Sequence, residues 1–241
     1  MSAVEGEDPR LEPTTIRTVP GDGDTGSVTL VGVVHDHPAS VYRVQTVIDD
    51  ADPAVVALEL PPLALPLFRQ YTADGTTPPD NGGEMSAAIQ AAESRRVVGI
   101  DLPRARSVWP LLSLLYADGG SARTALGVLA AVWSLSAHAV RCRLAAAWGR
   151  LSETPRTVDD PIDHDCSATD PPAEQVAHEN RIRSLNTSLT HAFERPRTLS
   201  LFDRARESAM ATSLTTLRRE GDVVAVVGFA HLDALDSRLR D

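Results

Sequence analysis

Residues Val28–His37, VTLVGVVHDH, decide how this chain folds, because Val223–Asp233, VVAVVGFAHLD, repeats their pattern near the other end. Each copy is a short β-branched, apolar run, as expected of a strand packed on both faces, and each runs on through Gly-x-x-His to an acidic residue. The repeat sets Gly32 against Gly228 and His35 against His231. In open α/β sheets ligands gather beyond the carboxyl ends of the strands. Two imidazoles brought to two such ends are therefore expected to share a site, whereas either alone would read as a loop histidine satisfied by water or backbone. The glycine ahead of each histidine allows close backbone approach or a strand bend. On that reading Gly32→Val harms metal affinity more than folding.

Outward from the first copy, Thr15–Val19 reads as an edge strand, joined to Val28 through the turn PGDGDTG in a hairpin. Pro38 suits a first helical position, and Val41, Val44 and Ile48 continue an apolar stripe to about Asp50. A second buried strand, Ala54–Leu60, follows, so strand, helix and strand form a βαβ unit and imply a parallel sheet. That strand ends on Glu59, ahead of Pro61 and Pro62. A carboxylate inside an apolar run is costly unless paired or bound to a cation, and Arg69 would be its structural partner if Glu59 had no functional role. A helix from about Glu84 to Ser94 carries Met85, Ala88, Ile89 and Ala92 on one face. Glu84 lies in its first turn, where the helix dipole favours a carboxylate. The third strand, Val97–Asp101, again ends in an acid. Three parallel strands thus finish in His35, Glu59 and Asp101, and the last finishes in His231.

Composition narrows the chemistry. The chain has 241 residues, 23 basic and 33 acidic, for a net charge of −10. Every basic residue is arginine; no lysine occurs. This is a haloarchaeal-type balance, in which an acidic surface keeps a protein soluble in high salt. Without lysine there is no Schiff-base chemistry and no Walker phosphate lysine. The arginines form no basic stripe, so nucleic acid is not an expected partner. Cys142 and Cys166 are too few for a disulfide framework, and the N-terminus has no charged-then-apolar signal pattern. A cytoplasmic, reduced protein is expected.

The middle of the chain is less informative. Ser107–Tyr116 and Ala122–Gly149 read as helices, the second nearly all apolar. Its uncharged run Thr124–Val140 falls short of the ~20 strongly apolar residues of a spanning helix. It reads as a buried core helix, or as a homodimer contact through residues 121–149, with membrane association as the lesser alternative. Residues 151–175 are acidic and Pro-rich and read as a flexible linker. Within it, His164, Asp165 and Cys166 are too loose a cluster to favour a metal site over plain linker. Amphipathic helices from about Val176 to Leu189 and from Ser200 to Arg218 lead into the last strand. The second carries Arg206, with Met210, Leu214 and Leu217, on its apolar stripe, where a guanidinium must be paired or must snorkel to water.

These residues resemble a known family. Val28–Glu59 looks like the opening of TraB/PrgY domain proteins, with a Gly-x-x-His strand end and a following Glu. Gly83–Asp101, GEMSAAIQAAESRRVVGID, is similar to that family's Gly-Glu-Met helix and strand. Arg206–Ala211, RESAMA, is similar to its Arg-Asp-x-x-Met-Ala helix, with Glu207 where Asp is usual, and Gly228–His231 supplies the second Gly-x-x-His. The likeness spans roughly residues 27–106 and 195–235. It implies an EreA/ChaN-like α/β fold and, through the related Tiki proteins, a metal-dependent peptidase site at His35, Glu59, Glu84, Arg206 and His231.

The fold expected is α/β, a mainly parallel sheet flanked by helices. The chain divides into a tail at 1–26, a core at 27–106 and 176–241, and a helical insertion with acidic linker at 107–175. In the expected chemistry His35 and His231 ligate a divalent ion, Mn, Co, Zn or Fe, together with Glu59 or Glu84, and the ion lowers the pKa of its water. The glutamate of the two that does not ligate accepts the proton, Arg206 pairs with one of these glutamates, and a peptide or protein is the substrate. The alternatives left open are a non-catalytic peptide-binding or regulatory protein and a structural dimer whose histidines close the sheet.

Overall fold

The computed structural model describes residues 8–73, 75–102, 122–152, 157–158, 160–192 and 196–241. The expected helix at Ser107–Tyr116 lies outside them. Five strands form one sheet in the order β1-β2-β5-β3-β4: β1 Ile16–Val19, β2 Val28–Val33, β3 Val55–Leu58, β4 Arg96–Gly99 and β5 Val223–Gly228. The hairpin partner β1 runs antiparallel to β2, and every other pairing is parallel. The two repeated strands are direct neighbours, with Val28 opposite Val223 and Val33 opposite Gly228.

Strand period two divides the core in two. Val55, Ala57, Val223, Ala225 and Val227 face α6 (Arg197–Leu217) and α7 (Phe229–Arg240), meeting Met210, Leu214, Leu232 and Leu235. Val56, Leu58, Val224 and Val226 face α1 (Pro38–Ala51) and α3 (Gly83–Ala91), meeting Val44, Ile48, Met85 and Ala88. Helices on both faces of a mainly parallel sheet are the architecture that βαβ connections produce. Two further helices complete the scaffold, α2 (Leu65–Tyr71) and α5 (Pro172–Ala192).

Helix α4, Ala122–Ser152, is not the buried core helix its composition suggested. It packs Cys142 and Ala146 on α2, and Val128 on Leu201 and Ala205 of α6. Much of its apolar surface is nevertheless open to solvent, with Leu126, Trp133, Leu144 and Leu151 all more than 60 % exposed. Its stretch Arg123–Ser152 is long and apolar enough, by length and composition, to cross a membrane. Residues 160–170, read from composition as linker, are irregular but lie against the β2–α1 loop. There the Ile162 N–H donates to Asp36 Oδ2 at 2.9 Å and His164 Nε2 donates to the His35 carbonyl at 2.8 Å.

Gly32 has a steric role different from the one its motif suggested. A Cβ there would lie 2.7 Å from the Phe229 ring and 3.0 Å from Leu232 Cδ2. That ring is itself held, since the Arg183 guanidinium lies 3.9 Å above it. The clash is with core packing, so the cost falls on folding. Gly32→Val is predicted to lower stability by about 1–3 kcal/mol with Gly32→Ala between it and the native chain. Urea denaturation measures this, and an unchanged midpoint would show that the core yields at this point.

Candidate functional site

The carboxyl edge of the sheet collects the acids and imidazoles in strand order. His35 lies just past β2, Gly228 closes β5, Glu59 follows β3 and Asp101 follows β4. His231 is not in a loop: it sits in the first turn of α7, where it is buried. Across this edge runs α6, carrying Arg206 and Glu207.

Arg206 is the hub. Its Nε and Nη2 grip Asp101 at 3.0 and 2.7 Å, its Nη2 also donates to Glu59 Oε1 at 2.6 Å, and its Nη1 lies 3.1 Å from His231 Nε2. The guanidinium is therefore paired, as its position on an apolar stripe required, but with Asp101 and Glu59. Glu84, the other expected partner, instead serves His35. Burial works against the charge of Arg206, yet Asp101 and Glu59 more than offset it and its pKa is raised.

Glu59 is held from two sides. Oε1 takes Arg206, and Oε2 accepts the Gly228 N–H at 2.7 Å. Arg69, its alternative partner from sequence, instead donates to the Val97 carbonyl at 3.5 Å. A Cβ added to Gly228 would touch Glu59 Oε2 at 3.4 Å and approach His35 Nε2 to 4.0 Å. The glycine therefore keeps open the gap between those two side chains.

Each histidine is oriented by its own carboxylate. His35 Nδ1 donates to Glu84 Oε1 at 2.6 Å, while Glu84 Oε2 accepts the Asp36 N–H at 2.8 Å. His231 Nδ1 donates to Glu207 Oε1 at 3.1 Å. A carboxylate only accepts, so in both rings Nδ1 carries a proton directed at its glutamate. His231 Nε2 lies 3.4 Å from Glu59 Oε1. The Glu84 hydrogen bond raises the pKa of His35 to about 9, against the burial that would lower it. For His231 burial opposes protonation, but Glu207 and Glu59 prevail and its pKa is also raised. Gly83 makes room for this arrangement, since a Cβ there would lie 2.0 Å from Asp36 Oδ1 and its φ is +49°.

A cavity of about 320 Å³ opens beside His35, Glu59 and Glu84, walled by Phe68, Tyr71, Met85 and Ile162. Arg206 and His231 are not part of its lining. The structure thus brings His35, Glu59, Glu84, Arg206 and His231 to one edge, with the Arg206 guanidinium between Glu59 and His231. Two contributors were not assigned to the site from sequence. Asp101 was visible as a strand-end acid, and Glu207 as the residue after the arginine.

A second group takes one of its members from the segment read as linker. Among the described residues, His37, Cys166 and His178 place one ligand atom each within 4.8 Å of one another, a set that could hold a metal ion. The signal for it, His164-Asp165-Cys166, is a short stretch whose partners lie far along the chain.

Arg206 holds two nearly buried carboxylates, Asp101 at 3 % and Glu59 at 6 % side-chain exposure. Arg206→Met leaves both uncompensated and is predicted to cost about 3–5 kcal/mol of stability. Arg206→Lys should recover only part of that loss, because an ammonium has no planar fork to span Asp101 and Glu59 together. Denaturant unfolding of the two variants reads the difference, and full recovery by lysine would make the fork dispensable. Comparison of the chain with protein-family models, with curated proteins and with solved structures returns no match.

Proposed function

We propose that the chain is a metal-dependent hydrolase of peptide bonds, with His35, Glu59 and His231 as the protein ligands of one divalent ion. The observation that supports this is the pair of carboxylate–imidazole contacts, Glu84 with His35 and Glu207 with His231, flanking Glu59. Metal-binding histidines characteristically donate their second nitrogen to a carboxylate, which fixes the tautomer and aims the ligating nitrogen. Four carboxylates gather at this edge, Glu59 and Asp101 on Arg206, Glu84 on His35 and Glu207 on His231, so a cation that replaced the protons of the two rings would meet an acidic surrounding. Imidazole and carboxylate together suit Mn, Co, Zn or Fe. His231 Nε2 takes part only once Arg206 Nη1 is released from it, while Asp101 keeps the arginine in place.

When bound, such an ion lowers the pKa of a coordinated water and polarises a carbonyl. The remaining work belongs to the chain. Glu84, which lines the cavity and is the carboxylate there that does not ligate, would accept the proton of the attacking water. Glu84 and Glu207 hold the two rings in register. Arg206 lies against Glu59 and balances negative charge that develops there. Phe68, Tyr71 and Met85 offer an apolar wall for a peptide side chain. The reading extends to a cytoplasmic enzyme of TraB/PrgY type with an EreA/ChaN-like fold, acting on a peptide or protein and not on nucleic acid.

A non-catalytic peptide-binding protein is the second reading. It is favoured by the Arg206 contacts, which satisfy Glu59 and His231 without an ion. Manganese separates the two, because it takes oxygen and nitrogen ligands and avoids thiolate. Native protein is expected to bind Mn²⁺ and to cleave a mixed peptide library in its presence. Glu59→Gln and His35→Ala should each weaken Mn²⁺ binding by about tenfold or more and abolish cleavage, while Cys166→Ser leaves Mn²⁺ binding in place. Binding without cleavage would favour the second reading, and absence of Mn²⁺ binding would overturn the first.

A further inference from the structure

Beside the carboxyl edge, on the far side of the β2–α1 loop from Glu84, three side chains from distant parts of the chain meet. His37 caps α1, His178 lies on α5, and Cys166 comes from the irregular segment between α4 and α5. His37 Nε2 faces His178 Nδ1 at 3.1 Å, and Cys166 brings its sulfur within 4.8 Å of both. Two imidazole nitrogens that close must share one proton or one cation, since two lone pairs cannot face each other. A third imidazole, His164, flanks them with its ring centroid 5.1 Å from His37 and 6.1 Å from His178.

We propose that His37, Cys166 and His178 form a second metal site, for zinc or a chemically similar ion, that ties residues 160–170 to the domain. The donor set is imidazole, imidazole and thiolate. Zinc takes these at about 2.0–2.3 Å in tetrahedral geometry, so donors within 4.8 Å of one another fit around it with little movement. The thiol gives its proton to solvent as it binds. His37 exchanges its long bond from the Ala39 N–H, 3.2 Å at Nδ1, for the new ligand bond at Nε2.

Two of the donors stand on a rigid base. His178 precedes Glu179, which is buried and paired with Arg43 and Ser40 of α1. The same α1 begins right after His37. Cys166 alone rides on an irregular segment. That segment also reaches the candidate active site, where Asp160, Pro161 and Ile162 line the cavity with His35 and Glu59. An ion on Cys166 therefore secures one wall of that cavity, whatever the cavity does.

Cobalt is the probe. The full chain, stripped of metal and kept reduced, is titrated with Co²⁺. A sulfur-to-cobalt charge-transfer band in the near ultraviolet should saturate at one thiolate per chain. Cys166→Ser should abolish the band, His178→Ala should weaken binding by about tenfold or more, and Cys142→Ala and Glu59→Gln should leave it in place. Glu59→Gln separates this site from the proposed hydrolytic one. Circular dichroism confirms that Cys166→Ser and His178→Ala stay folded. Amide exchange at Ile162, whose N–H donates to Asp36, should slow when the native chain takes up Zn²⁺. A native chain with no thiolate band, a band that survives Cys166→Ser, or exchange at Ile162 that Zn²⁺ leaves unchanged would each overturn the proposal.

Discussion

The organisation of this protein depends on one guanidinium among carboxylates. Burying a carboxylate is expensive unless its charge is met, and the carboxyl edge of the sheet buries Glu59, Asp101, Glu84 and Glu207 together. Arg206 meets two of them directly and contacts His231, so a single side chain of α6 fixes that helix against β3, β4 and α7. The two histidines meet the other two. The parallel strands supply the geometry, because all four end at one edge, where His35, Glu59 and Asp101 follow three of them and Gly228 closes the fourth ahead of His231. The result is an edge at which four carboxylates are met by one guanidinium and two oriented imidazoles.

A second buried pair serves the other half of the scaffold. Arg43 and Glu179, each 1 % exposed, join α1 to α5, and the arginine also reaches the Gly32 and Arg10 carbonyls. A pair so enclosed is expensive to break and fixes position more than it adds stability. It anchors α5, and with α5 the segment that precedes it. Through Ile162 and His164 that segment contacts the loop carrying His35. The neighbourhood of the candidate site is thus set from two directions by two arginines, in a chain that has no lysine to do either task.

Much of this was legible in the sequence where short-range rules operate. The β-branched runs at Val28–Val33 and Val223–Val227 could only be buried strands, and their shared Gly-x-x-His brought His35 and His231 to one edge. Glu59 stood out because an acid at the end of an apolar run demands a partner. The partner itself was less legible: Asp101 and Glu59 share Arg206 through contacts across more than a hundred residues, which no periodicity encodes. Helix α7 was missed because His231 was read as a strand end, whereas Gly228 closes β5 and the helix begins at once. Gly32 was read as a functional bend, while the ring it accommodates, Phe229, lies in the other copy of the motif. Cys166 and His178 looked like linker and surface helix because their meeting with His37 depends wholly on tertiary packing.

The central claim is that the carboxyl edge is a cation site built by His35, Glu59 and His231. Anomalous diffraction from crystals of the full chain equilibrated with Mn²⁺ tests it most directly. The account predicts a manganese peak bonded to Glu59 and to the Nε2 atoms of His35 and His231, with Arg206 still gripping Asp101. An unaltered Arg206–His231 contact with no peak at that edge would contradict it.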